Sequence, residues 1–120
     1  MADRDPTYQA DCLFCKIAAG EIPADIVFED ESVIVFADIN PKAPTHVLAI
    51  PRRHIESAAD LTDADGDLLA ALFGALRHVA EQAGLKGYRI VSNVGAESGQ
   101  SVFHLHFHLL GGRPMTWPPG

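Results

Sequence analysis

The pattern of apolar and polar residues divides the chain into seven segments of regular structure. Apolar residues at helical spacing predict a short helix over residues 11–19 and a long helix that follows Thr62 and ends at Gly84. Runs rich in Val, Ile and Phe predict five strands, at residues 26–29, 33–38, 46–50, 88–94 and 102–110. The order αβββαββ predicts an α+β fold, with a five-stranded, largely antiparallel sheet and the helices to one side.

The last predicted strand carries histidines at alternate positions. Because strand side chains alternate, His104, His106 and His108 are expected on one face, while the other face, which meets the long helix, carries Phe103, Leu105, Phe107 and Leu109. Neighbouring histidines in a strand lie ~6.7 Å apart, too far for three of them to converge on one zinc ion with ~2.0 Å bonds. The row is therefore predicted to divide its tasks. Imidazole suits phosphoryl chemistry near neutral pH, as a nucleophile or as a donor to phosphate oxygens.

Two cysteines form a Cys12-x-x-Cys15 pair ahead of the first strand. They are too few and too close together for the disulfide framework of a secreted domain. The spacing alone leaves three interpretations: metal ligands, a redox pair, or two unconnected thiols.

Composition narrows the class of protein. The 120 residues include 16 acidic residues against 9 Lys and Arg, a net charge of −7, and 48% of the chain is apolar. This favours one folded domain, predicted at residues 11–120 after a flexible N-terminus at residues 1–10. The acidic balance weighs against nucleic-acid polymers as partners. No apolar run approaches the ~20 residues of a membrane span and residues 1–10 are polar, so a cytoplasmic location without a membrane partner is expected.

Several motifs together resemble the histidine-triad (HIT) superfamily. The segment from His104 to Leu110 matches the pattern His-φ-His-φ-His-φ-φ, with φ apolar. Accessory motifs match as well, among them Phe36-Ala37-Asp38-Ile39, Ala43-Pro44-Thr45-His46 and Gly99-Gln100-Ser101-Val102. The end of the chain, from Gly111 to Gly120, resembles the nucleotide-binding branch, whose members are purine nucleoside phosphoramidases. The resemblance implies a homodimer in which two five-stranded sheets join edge to edge, with residues 115–120 near the partner's site.

The resemblance also implies roles for individual residues. His106 is the expected nucleophile, His108 contacts the phosphate, Ser101 lies near the leaving group, and His46 supports the triad. Asp38 accepts hydrogen bonds from the ribose hydroxyls, a natural use of paired carboxylate oxygens. The base is expected between four apolar side chains, Phe14, Ile17, Phe36 and Ile39. The rest of the nucleotide-binding set is expected at Asn93, Gly99, Gln100, Ser101 and Val102.

Bacterial members that carry the cysteine pair imply a structural zinc ion, one per subunit. The corresponding ligands in this chain are Cys12, Cys15, His54 and His104. Two thiolates and two imidazoles close a tetrahedral site and leave no position for water. Two reduced thiols without metal remain the alternative. His78, on the long helix, is interpreted as a surface residue.

The function implied is hydrolysis at the α-phosphate of purine nucleoside phosphoramidates or adenylyl esters. A nucleotidyl-histidine forms and water then releases a nucleoside monophosphate of the AMP or GMP type. Two alternatives remain: a dinucleoside polyphosphate hydrolase, and a nucleotide- or zinc-binding interaction module with incidental hydrolysis. The net charge disfavours the DNA-repair branch of the superfamily.

Overall fold

The computed structural model describes residues 4–120 and contains the seven predicted elements. In chain order they are α1 (Leu13–Ala18), β1 (Ile26–Glu29), β2 (Val33–Ala37), β3 (Thr45–Pro51), α2 (Gly66–Gln82), β4 (Tyr88–Val91) and β5 (Phe107–Gly111). Short 3₁₀ turns lie at Ala58–Asp60, Asp63–Asp65 and Ala96–Ser98. The predicted order of helices and strands is confirmed.

The five strands form one antiparallel sheet in the order β1-β2-β3-β5-β4. The predicted α+β class is therefore confirmed. The two edges of the sheet differ. In β1 the pairing register shifts between Ile26 and Phe28, a bulge-like irregularity. In β4 the register is regular from Tyr88, opposite Gly111, to Val91, opposite His108.

The two helices pack on opposite faces of the sheet, which corrects the expectation that both lie on one side. The buried face of α2 meets a cluster that includes Val33, Val35, Val47, Ala49 and Leu109. Alternate residues of the same strands, Ile34, Phe36, Leu48 and Ile50, pack with α1. The central strands β2 and β3 are thus apolar on both faces, which requires a cover on each side.

Helix α1 is short and is capped by one of the cysteines. Cys12 occupies the N-cap, where its Sγ accepts a hydrogen bond from the Cys15 backbone N–H at 3.3 Å. Gly20, with φ of 76°, follows the end of the helix and takes the left-handed conformation that terminates it. The buried residues of α1 are Phe14, Cys15 and Ile17. Six residues are too few for a stable isolated helix, so α1 depends on these contacts.

A capping box lies in the 3₁₀ turn Asp63–Asp65 that leads into helix α2, directly after Thr62, where the start of this helix is predicted. The Thr62 side chain caps the turn that leads into α2, and the Asp65 carboxylate accepts a hydrogen bond from the Thr62 backbone N–H at 2.8 Å. Arg53 pairs with the same carboxylate. Gly84, with φ of 69°, follows the helix. Phe73, on α2, is exposed, although its ring contacts that of Phe107 at 5.3 Å between centroids.

The last strand is shorter than predicted, and this changes the geometry of the triad. β5 begins at Phe107, so residues 102–106 are not strand. Backbone groups of this segment form hydrogen bonds with residues distant in sequence instead of with a neighbouring strand. Leu105 N donates to Ile55 O at 2.6 Å, and the Ser92 hydroxyl donates to His106 O at 2.8 Å. β4 correspondingly stops at Val91 rather than at residue 94. Phe103, expected on the core face, is exposed, whereas Leu105, Phe107 and Leu109 pack in the α2 core as predicted.

The N-terminal segment contacts the body of the domain where it is described. Residues 1–3 of the predicted flexible N-terminus lie outside the described residues. Arg4 and Tyr8 both bond to the Glu21 carboxylate, and the Thr7 hydroxyl accepts from the His54 backbone N–H at 2.7 Å. Flexibility of residues 1–10 stays a prediction. Among residues 4–120, no helix is long and apolar enough to cross a lipid bilayer.

Candidate active site and metal centre

Four potential metal ligands converge beside α1. Sulfur and nitrogen atoms of Cys12, Cys15, His54 and His104 all lie within 4.8 Å of one another. Cys12 Sγ is 3.3 Å from His104 Nδ1, and Cys15 Sγ is 3.3 Å from His54 Nδ1. The cluster joins residues 12–15 to residues 54 and 104, so contacts distant in sequence create it. We call it the Cys₂His₂ cluster.

The chemistry of the cluster fits a zinc ion. His104 Nε2 lies 2.8 Å from the Pro51 carbonyl oxygen, which fixes the proton on Nε2 and turns the Nδ1 lone pair towards the thiols. Among the described residues, one buried side-chain nitrogen or oxygen atom lacks a hydrogen-bond partner, and that atom is His54 Nε2. Its other nitrogen, Nδ1, faces the Cys15 thiol, where it can act as a metal ligand together with the sulfur.

Burial keeps Cys15 and His104 neutral when no cation is present. It raises the pKa of Cys15 to about 11 and lowers the pKa of His104 to about 4. A neutral imidazole is ready to bind a metal, whereas a thiol must lose its proton, which a bound cation promotes. The donor set is thus the one that zinc selects.

The second histidine of the triad, His106, has one ring nitrogen in a hydrogen bond and one without. His106 Nδ1 lies 2.7 Å from the His104 carbonyl oxygen. A carbonyl only accepts hydrogen bonds, so Nδ1 carries the proton and Nε2 keeps its lone pair. The ring is buried edge-on against Phe14, with centroids 5.1 Å apart and planes at 88°. Its position and tautomer are therefore both set by neighbours.

A chain of hydrogen bonds defines the tautomer of the third histidine. The Lys42 backbone N–H donates to His46 Nδ1 at 3.0 Å, so the His46 proton is on Nε2. This Nε2 lies 2.9 Å from His108 Nδ1 and 3.4 Å from Asp38 Oδ2. His108 Nδ1 consequently accepts, and the proton of the His108 ring is on Nε2.

The imidazole rings of His46 and His108 are both neutral at pH 7. Burial lowers the pKa of His108 to about 4, aided by the neighbouring His106 and His46 and opposed by the Asp38 carboxylate. Burial likewise lowers the pKa of His46, with Asp38 acting in the opposite direction. The pair therefore offers directed N–H groups rather than full positive charges.

A cleft of about 620 Å³ opens in front of His106 and His108. Its floor is formed by Phe36 and Leu48, which lie in register with His108 across the sheet. Asp38 and Ser101 contribute polar groups to its wall. Apolar side chains of α1 and of the loop that follows it enclose the cleft: Leu13, Phe14, Ile17, Ile22, Pro23 and Ala24. A cleft with a broad apolar wall and a few polar groups at one end suits a ligand with a flat apolar part and a charged part.

Comparison with known proteins finds relatives along nearly the whole chain. The family model described as "Scavenger mRNA decapping enzyme C-term binding" matches residues 11–117. An uncharacterised HIT-like protein of Synechocystis sp. is 49% identical over 111 residues, which cover 92% of this chain and 97% of that protein. The chain belongs to the HIT superfamily.

Other relatives of this HIT chain carry more informative names. The "14 kDa zinc-binding protein" of Zea mays is 48% identical over 111 residues, covering 90% of this chain and 87% of that protein. The crystal structure of a HIT family hydrolase from Legionella pneumophila is 54% identical with a TM-score of 0.90, covering 92% of this chain and 100% of that chain. A HIT family hydrolase from Clostridium thermocellum is 46% identical with a TM-score of 0.87, covering 90% and 96%. These likenesses confirm the predicted superfamily and fold.

The HIT fold brings most of the predicted site residues together. His106, His108 and Ser101 border the cleft with Asp38 and Val102, and so do the four predicted base-wall residues Phe14, Ile17, Phe36 and Ile39. Ile39 is fully exposed and stands at the mouth. His46 does not border the cleft, and its Nε2 lies 2.9 Å from His108 Nδ1.

Three residues predicted to bind the nucleotide lie outside the cleft wall: Asn93, Gly99 and Gln100. Gln100 is buried, and its side-chain amide is used inside the protein. Its Oε1 accepts from Gly95 N at 2.8 Å, and its Nε2 donates to Glu56 O at 2.7 Å. Gly99, with φ of 100°, closes the turn before it, near the Asn93 amide. In the structure, Gln100 fastens the loop that precedes Ser101.

Sequence reasoning also missed part of the cleft. The residues missed are Leu13, Ile22, Pro23, Ala24, Asp25, Ala37 and Leu48. For Leu48 a signal was present, because it alternates with His46 along β3 and shares that face. The Ile22-Pro23-Ala24 loop has no periodicity that would reveal which way it turns.

Proposed function

We propose that this HIT protein is a nucleotide-binding hydrolase that cleaves the phosphorus–nitrogen or a related bond at the α-phosphate of purine nucleoside phosphoramidates. The observation that supports the proposal is the tautomer of His106, in which the proton is on Nδ1. Its Nδ1–H is held by the His104 carbonyl, while Nε2, with a free lone pair, belongs to a ring that borders the cleft. A neutral, oriented imidazole is a competent nucleophile at neutral pH.

In the proposed reaction, His106 Nε2 attacks the α-phosphorus and forms a P–N bond. The bond from phosphorus to the leaving nitrogen breaks, and that nitrogen takes the electron pair and a proton from solvent. The Nδ1–H bond to the His104 carbonyl stabilises the positive charge that the substituted imidazole acquires. Water then attacks the same phosphorus and gives up a proton to solvent, the P–Nε2 bond breaks, and His106 regains its lone pair as a nucleoside monophosphate leaves.

The neighbouring groups match the parts of a nucleotide. The hydrogen bonds from Lys42 N to His46 and from His46 to His108 Nδ1 leave the His108 Nε2–H free. This N–H serves as a donor to a phosphate oxygen. Asp38 uses one oxygen for the Asn40 backbone N–H at 2.8 Å and retains acceptor capacity for ribose hydroxyls. The apolar wall beyond suits a purine ring. Ser101 stands at the cleft edge, on the side proposed for the leaving group.

We further propose that Cys12, Cys15, His54 and His104 hold one zinc ion. When bound, it supplies a closed structural crosslink between α1 and the segments that carry the two histidines. The zinc-binding name of the maize relative supports this assignment. We also propose the homodimer, joined at the β4 edges, with residues 115–120 near the partner's cleft.

The test is the substitution His106→Ala, with His78→Ala as the matched control. His78 is exposed on α2, where its ring contacts Phe28 outside the cleft. Turnover of adenosine 5′-phosphoramidate should fall at least about a thousandfold in the first variant and stay unchanged in the second. AMP binding, measured by calorimetry, should persist in both. Unchanged turnover in His106→Ala would contradict the assignment of the nucleophile.

The choice of substrate separates this function from its alternatives. Rates for adenosine phosphoramidate and for a diadenosine polyphosphate should be compared on the same preparation. A higher kcat/KM for the phosphoramidate is expected, and a preference for the polyphosphate would favour the dinucleoside hydrolase. AMP binding without turnover of either substrate would favour the interaction module.

A further inference from the structure

The Phe14 ring lies between the Cys₂His₂ cluster and the proposed nucleophile. Its centroid is 6.0 Å from that of His104 and 5.1 Å from that of His106, edge-on in both cases. On its other side it meets Phe36, a wall of the cleft, at 5.4 Å. One buried side chain therefore contacts a proposed metal ligand, the nucleophile and the base wall.

The position of Phe14 depends on the cysteines that flank it. Cys12 caps α1 and Cys15 is its third residue, so the N-terminal half of this short helix is tied to the cluster. Without a metal, the ties are contacts between thiol and imidazole at 3.3 to 3.6 Å, which are weak. A metal replaces them with coordinate bonds. It thereby fixes α1, including Ile17, which also borders the cleft.

A second connection runs through the backbone of His104. Its imidazole Nδ1 faces the thiols, its Nε2 is held by Pro51 O, and its carbonyl accepts the His106 Nδ1–H at 2.7 Å. The next backbone N–H, that of Leu105, is bonded to Ile55, which follows the proposed ligand His54. The residue that contacts the thiols through its ring is thus the one that orients the nucleophile through its carbonyl.

We infer that a metal ion at the Cys₂His₂ cluster and a nucleotide in the cleft strengthen each other's binding, with Phe14 and the His104 carbonyl as the connecting groups. The inference rests on the proposed function, because it requires that the cleft binds a nucleotide. The metal orders the wall that receives the base, and a bound base holds α1 against the cluster. By linkage, the two effects must be equal in size. Phe14 is thus a positioning residue.

The experiment measures zinc release from the loaded protein into a chromogenic chelator, with and without saturating AMP. We expect AMP to slow release at least about fivefold. In Phe14→Leu, which keeps an apolar side chain but removes the ring, the effect should fall below about twofold. The matched control is Ile39→Ala, since Ile39 borders the cleft but belongs to the loop before β3 and is fully exposed. It should weaken AMP binding yet preserve the full slowing of release at saturation.

A reciprocal measurement closes the cycle. The Kd of AMP, measured by calorimetry, should be lower for zinc-loaded than for metal-free protein, by the factor by which AMP lowers the Kd of zinc. If the metal-free protein proves unfolded by circular dichroism, the release assay alone decides, because it starts from loaded protein. AMP binding that leaves zinc release unchanged would overturn the inference and leave the proposed function standing. Equal slowing in wild type and Phe14→Leu would overturn the role of Phe14. Absence of AMP binding would overturn both proposals.

Discussion

Acid should destabilise this protein partly through His108, and the size of the effect follows from the structure. The pKa of His108 in the folded protein is lowered from 6.5 to about 4 because burial disfavours the imidazolium. The unfolded chain therefore takes up a proton below about pH 6.5 that the folded chain does not. Stability from this group is complete above pH 6.5 and is lost as the pH falls towards 4.

The magnitude can be bounded. At ~1.4 kcal/mol per pH unit for one proton, the full gap between 6.5 and about 4 corresponds to about 3.4 kcal/mol. His108 is only half-buried and its ring borders an open cleft, so solvent reduces this figure. We expect its share of the free energy of unfolding to fall by roughly 1–2 kcal/mol between neutral pH and about pH 4.5.

The assay is urea unfolding of the wild type and of His108→Asn at about pH 7.5 and about pH 4.5. Asparagine cannot titrate, but its Oδ1 can still accept the His46 Nε2–H that His108 Nδ1 accepts at 2.9 Å. The variant should lose roughly 1–2 kcal/mol less than the wild type on acidification. Carboxylates and the metal cluster are common to both proteins and cancel. An equal loss in both would show that folded His108 titrates near 6.5 and would refute the burial argument.

Three other predictions address the metal, a tight contact and the assembly. Cys12→Ser should lower the zinc content, measured by elemental analysis, from about one ion per chain to nearly none; metal-free wild type prepared with zinc available would contradict the site. Gly112→Ala should lower the free energy of unfolding by roughly 2–4 kcal/mol, because φ is +91° and the new Cβ lies 2.9 Å from Pro44 Cβ. The control Gly66→Ala meets no atom within 4 Å and should gain about 0.5–1 kcal/mol in urea unfolding. Light scattering should give about twice the 12.9 kDa chain mass, and a monomer at micromolar concentration would contradict the dimer.

The fold was predictable where local pattern and tertiary contacts agree. The helical spacing that leads to Gly84 and the β-branched runs of the first three strands lie where they were expected. The prediction failed for residues 102–106, whose alternation is that of a strand. There the backbone of Leu105 pairs with Ile55, a partner fifty residues away that no local pattern reveals. Long-range pairing overrode the period-two signal.

The candidate site was predictable to a different degree for each of its parts. Alternation alone suggested that the histidines divide their tasks, and the structure places His104 with the cysteines and His106 with the cleft. The convergence of His54 on the cysteines depends on the tertiary fold, and only the family resemblance pointed to it. The tautomers of His46 and His106 could not be predicted from the sequence, because they depend on backbone groups such as the Lys42 N–H and the His104 carbonyl.

The irregular pairing of β1 determines how far the sheet can grow. Every open sheet has two edges that invite further strands, and a chain with two regular edges can polymerise. Here β4 offers a regular edge, whereas β1 shifts register between Ile26 and Phe28. Two copies that join β4 to β4 around a two-fold axis turn both irregular edges outward. In the proposed dimer the sheet therefore ends on both sides in an irregular β1 strand, an edge that is a poor template for a further strand.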